Sequence, residues 1–451
     1  MMAQKDEIRL SDHFGYGRLA RFTLPSVAMM IFTSVYSVAD GFFVSNFAGK
    51  TAFSAVNLIM PVLMILGTLG MMLGTGGTAL VAKTLGMGDR DRANRYFSLF
   101  VYTALILGAA LSILSFFLLP GIAFRLGARD ALLTDCVRYA RVVAGALPFS
   151  MLMMMFQSFF VAAEKPKLGF AVTLASGLLN MILDALLCTL LPQESRLMGA
   201  AFATAISQTA GGLFALCYFL FKRDSLLSLG KTRFDGRALL KACLNGSSEF
   251  MTSVSMSVVS MLYNFQLMKY AGEDGIAAYG VMMYVGMIFT AAFVGYSIGV
   301  APVISFHFGA ENHEELKSLL KKSLWICFVA GGAMVALAEL FAVPLASLFT
   351  GYDTGLYNLT LHGFRIVALC YVFVGFCIFV SGFFTALNDG VTSALISFIR
   401  TVVFEIAFVM LLPLLFGIDG VWISCVVSEL AAFLLGIAFL LGKRKRYGLA
   451  R

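Results

Sequence analysis

The chain has 451 residues, of which 60% are hydrophobic and 13% charged, with 43 Phe, 24 Met and 2 Trp. Soluble domains carry about 25% charged residues, so this chain has too little polar surface to coat a water-soluble globule. Disordered, coiled-coil, collagen-like and disulfide-scaffold classes fail on the same numbers, and the chain reads as an integral membrane protein. The net charge of +8 sits in short gaps between apolar runs. That placement points to an anionic membrane leaflet and away from nucleic acid. Eight cysteines are scattered singly and His is rare, so no metal cluster or disulfide framework is indicated. No cleavable signal peptide is expected, because residues up to Arg21 mix charged and polar groups before the first long apolar run.

A membrane-spanning helix needs about 20 apolar residues. Twelve such runs follow one another near 19–46, 52–82, 96–119, 136–163, 168–191, 198–221, 243–268, 276–306, 323–349, 358–386, 391–412 and 419–442. They are continuous and do not alternate, which excludes a β-barrel. The expected architecture is an all-α polytopic protein with two six-helix bundles around a central cavity. Its parts are an N-terminal lobe at 1–221, a linker at 222–241 and a C-terminal lobe at 242–451.

Orientation follows from the gaps. Lys5, Arg9, Arg18 and Arg21 precede the first span, and Lys83, Arg90, Arg92 and Arg95 flank the second gap. Lys165 and Lys167, the run from Lys222 to Lys241, Lys317, Lys321 and Lys322, and the tail from Lys443 to Arg451 continue the pattern in every second gap. Twelve crossings of a cell membrane with both termini cytoplasmic fit this alternation.

The chain also repeats itself. Residues 48–95, from AGKTAFSAVNLIMPV to TLGMGDRDRANR, lie without a gap over 271–318, from AGEDGIAAYGVMMYV to HFGAENHEELKS, an offset of 223. SFFVAAEKP at 158–166 matches GFFTALNDG at 382–390, and GAAFATAISQ at 199–208 matches GVWISCVVSE at 420–429. Each half has an even number of spans, so duplication gives a parallel pseudo-two-fold along the membrane normal. Pro25, Pro61, Pro148, Pro302 and GTGG at 74–77 interrupt the apolar runs and read as bends around a cavity.

An ionisable side chain in hydrocarbon costs about 2.5–3.5 kcal/mol on insertion scales, so each one requires a reason. Asp40, Asp184, Glu249, Glu339, Glu405 and Glu429 fall inside predicted spans, with Arg400 as the deepest cation. They must be protonated, ion-bound, paired or water-facing. Tyr36 lies one turn before Asp40, Asn180 one turn before Asp184, and Thr204 sits in the small-residue run GAAFATAISQ. These groups offer hard oxygen ligands suited to Na⁺ or to a proton shared between carboxylates. Asn180 and Thr204 also read as simple inter-helix glue. The repeat sets Tyr263 opposite Asp40 and Glu405 opposite Asp184. Glu249 reads either as a cavity acid or as a partner of Lys241. Arg400 and Glu405 are five residues apart, a poor spacing for a pair within one α-helix, so a partner on another helix is expected. In MLMMMFQSFF at 151–160, Met153, Phe156 and Gln157 read as a surface for many apolar shapes, or as ordinary core. No catalytic or nucleotide motif is present, so neither an enzyme nor a primary ATP-driven pump is expected.

These residues resemble the multidrug and toxic compound extrusion (MATE) family, in its bacterial branch. The likeness rests on Pro25–Ser26, VADGFFVSNFAG, LG-x-G-D at 85–89 and GAAFATAISQ. It implies a Na⁺- or H⁺-coupled antiporter that exports amphipathic, often cationic compounds by alternating access. It would have no cofactor beyond the coupling ion, would work as a monomer among membrane lipids, and would bind no nucleic acid. By that likeness Asp40, Asn180, Asp184 and Thr204 match the cation site, with Tyr139 beside it, and Glu249 matches an acidic position of some members. The tenth span carries no carboxylate, so a second cation site there is not expected. The alternatives are a flippase for lipid-linked oligosaccharides, which predicts a cavity rich in Arg and Lys, and a non-transporting receptor or scaffold, which leaves the intramembrane acids unexplained.

Overall fold

The computed structural model describes residues 8–44, 47, 50–222, 225–351 and 353–449. Lys5, Arg223, Arg451 and the end of the VADGFFVSNFAG stretch (Ser45, Asn46, Ala48 and Gly49) lie outside them. The described residues are helical with short connections. The order is α1 (Tyr16–Phe43), α2 (Lys50–Gly86), α3 (Arg90–Arg125), α4 (Asp130–Gly145), α5 (Leu147–Ala162), α6 (Pro166–Leu190), α7 (Arg196–Phe221), α8 (Gly236–Gly309), α9 (His313–Thr350), α10 (Thr354–Ala368), α11 (Tyr371–Ala386), α12 (Gly390–Phe398), α13 (Glu405–Phe416) and α14 (Ile418–Lys443).

Eight of these helices are long and apolar enough to cross a membrane alone, the continuous run Gly390–Phe416 through α12 and α13 makes a ninth, and α4–α5 and α10–α11 add two crossings as pairs bent by 58° and 45°. A straight helix of the 74 residues of α8 would be roughly 110 Å long against a hydrocarbon core of about 30 Å. It reverses at Gly272, whose φ of 62° and ψ of −148° suit a residue without a Cβ. Among the described residues the crossings therefore number twelve. Large apolar side chains such as Ile113, Phe117, Leu340, Leu414 and Leu415 stand exposed on the outer faces, as lipid solvation requires.

The duplication is visible in the turns. Gly88 and Glu311 both have positive φ (83° and 55°), as do Glu164 and Asn388 (60° and 58°), and each pair is related by the repeat. Asp89 caps α3 by accepting from the Arg92 amide, and Asn312 caps α9 by accepting from the Glu315 amide. The linker is strapped to α3: Arg90 donates to the carbonyls of Ser225 and Leu226, and Asn94 and Ser98 accept the amides of Ser228 and Gly230. Residues 236–241 already belong to α8.

The two lobes, α1–α7 and α8–α14, meet at the end of the molecule that carries both termini. A Cβ on Gly76 would lie 2.0 Å from the Ala242 carbonyl oxygen, and one on Gly246 1.9 Å from that of Met72. Gly86 stands 2.0 Å from the Phe306 oxygen and Gly309 2.0 Å from the Lys83 oxygen by the same measure, a pair of equivalent contacts across the pseudo-two-fold. Pro148 lies at the 58° bend between α4 and α5. Pro25, Pro61 and Pro302 lie within continuous helices, and GTGG is unbroken helix whose glycines admit close neighbours. Gly295 and Gly299 rest on Val27 and Thr23, which sets α1 against the second half of α8.

Two hydrophobic cores at this end draw residues from both lobes. One joins Phe97, Phe156 and Phe219 to Ala238 and Ala242, and the other joins Leu10, Phe14 and Val161 to Val303 and Phe384. At the opposite end each lobe keeps its own core. The lobes are thus sealed at the end bearing the termini and part toward the other.

Gly86→Val and Gly309→Val should each cost about 1–3 kcal/mol, as overpacking does. Being equivalent across the pseudo-two-fold, they should lower the thermal midpoint of the detergent-solubilised protein by similar amounts, whereas Gly121→Val, which meets no neighbour, should not.

Candidate cation site and the cleft between the lobes

Four helices build a buried polar cluster in the first lobe. A Cβ on Gly177 would strike the rings of Phe32 at 2.5 Å and Tyr36 at 2.9 Å, so glycine lets α6 lie close on α1. One turn farther along, this approach faces Asn180 and Asp184 toward Asp40. The Ser176 hydroxyl donates to the Ser207 carbonyl at 2.6 Å and pins α6 to α7, which brings in Thr204. The 58° bend after α4 turns Tyr139 inward.

Fractional exposures are 0% for Asp184 and Tyr139, 3% for Asn180, 8% for Asp40 and 9% for Thr204. Asp40 lies beside Asp184 and Thr204, and Tyr139 lies near both carboxylates and Thr204. Tyr36 is half-buried and faces Asp40 from one turn away. Among the described residues no cation pairs with either acid. Asp40 Oδ1, both oxygens of Asp184, both ends of the Asn180 amide, Thr204 Oγ1 and Tyr139 Oη have no hydrogen-bond partner. Buried polar groups are nearly always satisfied, so this concentration marks a place for something else. Two carboxylates, an amide oxygen, a hydroxyl and a phenol make an oxygen donor set for a hard monovalent cation or a shared proton. Gln208, whose Oε1 is also buried and unpartnered, extends the cluster. Its sequence signal is its position one turn after Thr204.

The residues expected to line the central cavity divide. Met153, Phe156 and Gln157 do not face the space between the lobes. Helix α5 packs on α2, α3, α6 and α7, with a smaller contact on α8. These three line a narrow crevice with Phe160, Thr173 and Gly211, and Phe156 stacks on Phe219 in an aromatic core. Glu405 also lies inside its own lobe, near Tyr263, Tyr279, Arg400 and Glu429. Glu249 does lie at the seam, on the face of α8 shared with Gly246 and Ser253. It forms no ion pair with Lys241 or another described residue.

The methionines that face the cleft are others. Thr68 donates to Ser253 across the seam at 3.2 Å, and one turn beyond it Met64 and Met256 are exposed. Met60 and Met64 correspond by the repeat to Met283 and Met287. Met287 continues the face of Gly295 and Gly299, which rests on α1. A helical register traced from the glycine contacts identifies them; a dense Met run does not.

In the second lobe Glu429 and Glu339 are each paired with an arginine of the same lobe. Arg400 donates from Nε to both Glu429 oxygens at 3.0 and 3.2 Å, and from Nη2 to Oε1 at 2.8 Å. Residues 399–404 form a π-helical turn, which brings positions five apart toward one face. The Arg400 guanidinium nevertheless bonds to Glu429 of α14 and not to Glu405, in line with the expectation of a partner on another helix. Glu339 pairs with Arg365 at 3.4 Å, a cation that the sequence reading passed over. Outside the spans, burial raises the Asp389 carboxyl, but hydrogen bonds from Lys443, Tyr447 and Thr392 outweigh it and hold the group at about 2. Arg400→Met should cost about 3–5 kcal/mol by stranding Glu429, whereas Arg400→Met with Glu429→Leu should be nearly neutral. Thermal unfolding of the two variants in detergent measures the difference.

A family model described as MatE matches residues 25–186 and again 250–411, one match in each lobe. The multidrug export protein MepA of Staphylococcus saprophyticus is 26% identical over 432 residues, which span 94% of both chains. MepA of Staphylococcus aureus is 26% identical over 437 residues, again 94% of each. Among solved structures, an outward-facing multidrug resistance MATE transporter of the MOP superfamily superimposes with a TM-score of 0.89 over 97% of both chains at 24% identity. With a matched domain in each half of a duplicated twelve-helix fold, the chain belongs to the MatE family.

Proposed function

We propose that this protein is a cation-coupled antiporter that exports amphipathic, often cationic compounds across the cell membrane by alternating access. The observation that carries this reading is the pair of buried carboxylates, Asp40 and Asp184, with no counter-charge. Two such groups repel each other and resist desolvation, so they hold a cation or protons when the site is closed and release them when it is hydrated. The names of the MepA relatives support multidrug export, and the exposed Met64, Met256, Met283 and Met287 supply an adaptable apolar wall. Glu249, at the base of that cleft, supplies a negative charge for a cationic substrate.

The basic gaps lie at the end bearing the termini, which the positive-inside rule assigns to the cytoplasm. The seal is then cytoplasmic and the cleft opens outward. In this state Na⁺ or H⁺ enters from outside and neutralises Asp40 and Asp184. Relief of their repulsion lets α1 and α6 close on each other, the outer cleft shuts, and the cytoplasmic seal parts to take up substrate. Ion release to the cytoplasm resets the cycle. Each charge moving down about 100 mV supplies roughly 2.3 kcal/mol, enough for a roughly fifty-fold concentration of substrate.

Proteoliposomes loaded with ethidium test this under an imposed Na⁺ gradient and, separately, an imposed pH gradient. One of the two gradients should drive uphill ethidium movement. Asp40→Asn and Asp184→Asn should each remove that drive while leaving the protein inserted and folded. Equal ethidium flux with and without both gradients would sink the coupling.

A further inference from the structure

The short segment before α1 crosses the seal between the lobes and is held by both. Its first anchor is in the first lobe, where the Leu10 amide donates to Glu164 Oε1 at 2.7 Å in the turn between α5 and α6. Its second is in the other lobe, where Glu315, near the start of α9, takes the Phe14 amide at 2.9 Å and the His13 ring nitrogen at 2.5 Å. Lys322, two turns along α9, donates to the Phe14 carbonyl at 2.5 Å. Between these anchors Leu10 and Phe14 are fully buried in the core shared by Val161 of the first lobe and Val303, Leu316 and Phe384 of the second. A turn closed by the Asp12 amide on the Arg9 carbonyl shapes the segment between them.

The anchoring groups are themselves fixed. Glu315 has a side-chain exposure of 6%, and its amide is held by Asn312 at the cap of α9. Burial pushes the Glu164 carboxyl up, against the pull of the Leu10 amide and Arg9. A strap seated on the first lobe alone would travel with it. This one is tied to a loop of one lobe and a helix of the other, so the lobes cannot separate at this end without breaking one set of bonds.

We propose that residues 9–14 are a latch across the seal. Glu315 is the catch, and release of the His13 and Phe14 contacts from it precedes opening of this end. The latch is a device of the alternating-access cycle proposed above, but it is tested without transport.

Hydrogen exchange measured by mass spectrometry on the full chain in lipid nanodiscs reads it directly. In Glu315→Ala, amides of 16–27 and 295–309, which line the seal, should exchange on the order of tenfold faster, as local opening predicts. Amides of 255–270 and 280–290 at the open end should exchange at the wild-type rate or slower. Glu315→Gln keeps an acceptor for the Phe14 amide and should give a smaller effect at the same sites. Unchanged exchange at the seal in both variants overturns the latch, as does an equal acceleration through all helices in both. Failure of gradient-driven ethidium efflux would count against the antiporter reading and leave these exchange rates as they are.

Discussion

A carboxylate taken out of water without a counter-charge is among the costliest features a fold can hold, and the first lobe holds two that face each other. Born-type costs for a buried ion, after relaxation, remain several kcal/mol, comparable to the whole margin of a typical domain. The packing around Asp40 and Asp184 therefore makes sense only with a mobile positive charge among its components. The bare backbone at Gly177, the bond from Ser176 to α7 and the bend that turns in Tyr139 each bring one donor into the same small volume. None of them supplies a fixed cation.

The second lobe began from the same plan and meets the same cost differently. Its turns, caps and glycine contacts repeat those of the first, yet Glu429 and Glu339 are matched there by Arg400 and Arg365. The position equivalent to Asp184 is Glu405, which follows a π-helical turn. Acids that are paired within a lobe keep their geometry whether or not an ion gradient is present. Duplication preserved the frame, and the charge arrangement diverged within it.

Much of this was legible in the chain. Hydropathy located the twelve crossings because lipid solvation depends on run length more than on detail. The repeat was readable because Asp89 and Asn312 occupy matching caps. Asp40, Asn180, Asp184, Thr204 and Tyr139 could be grouped from helical spacing and family likeness. Other features depend on geometry that spacing does not carry. Pro148 marked one bend, but the 45° bend between α10 and α11 has no proline at its break. The π turn at 399–404 departs from a period of 3.6 and is not legible in the spacing, whereas the partner of Arg400 is on another helix, as expected, in Glu429 of α14. The dense Met run of α5 drew attention from sparser methionines on α2 and α8, because only the glycine contacts reveal which faces of those helices oppose.

The seam itself has a mechanical consequence. Where the lobes touch, at Gly76, Gly86, Gly246 and Gly309, main chain lies directly on main chain. Interlocked side chains resist shear, since each must rotate out of its socket before the surfaces slide. Bare peptide planes present no such teeth. These points can act as pivots, so the resistance to opening resides in the two side-chain cores that both lobes share at this end.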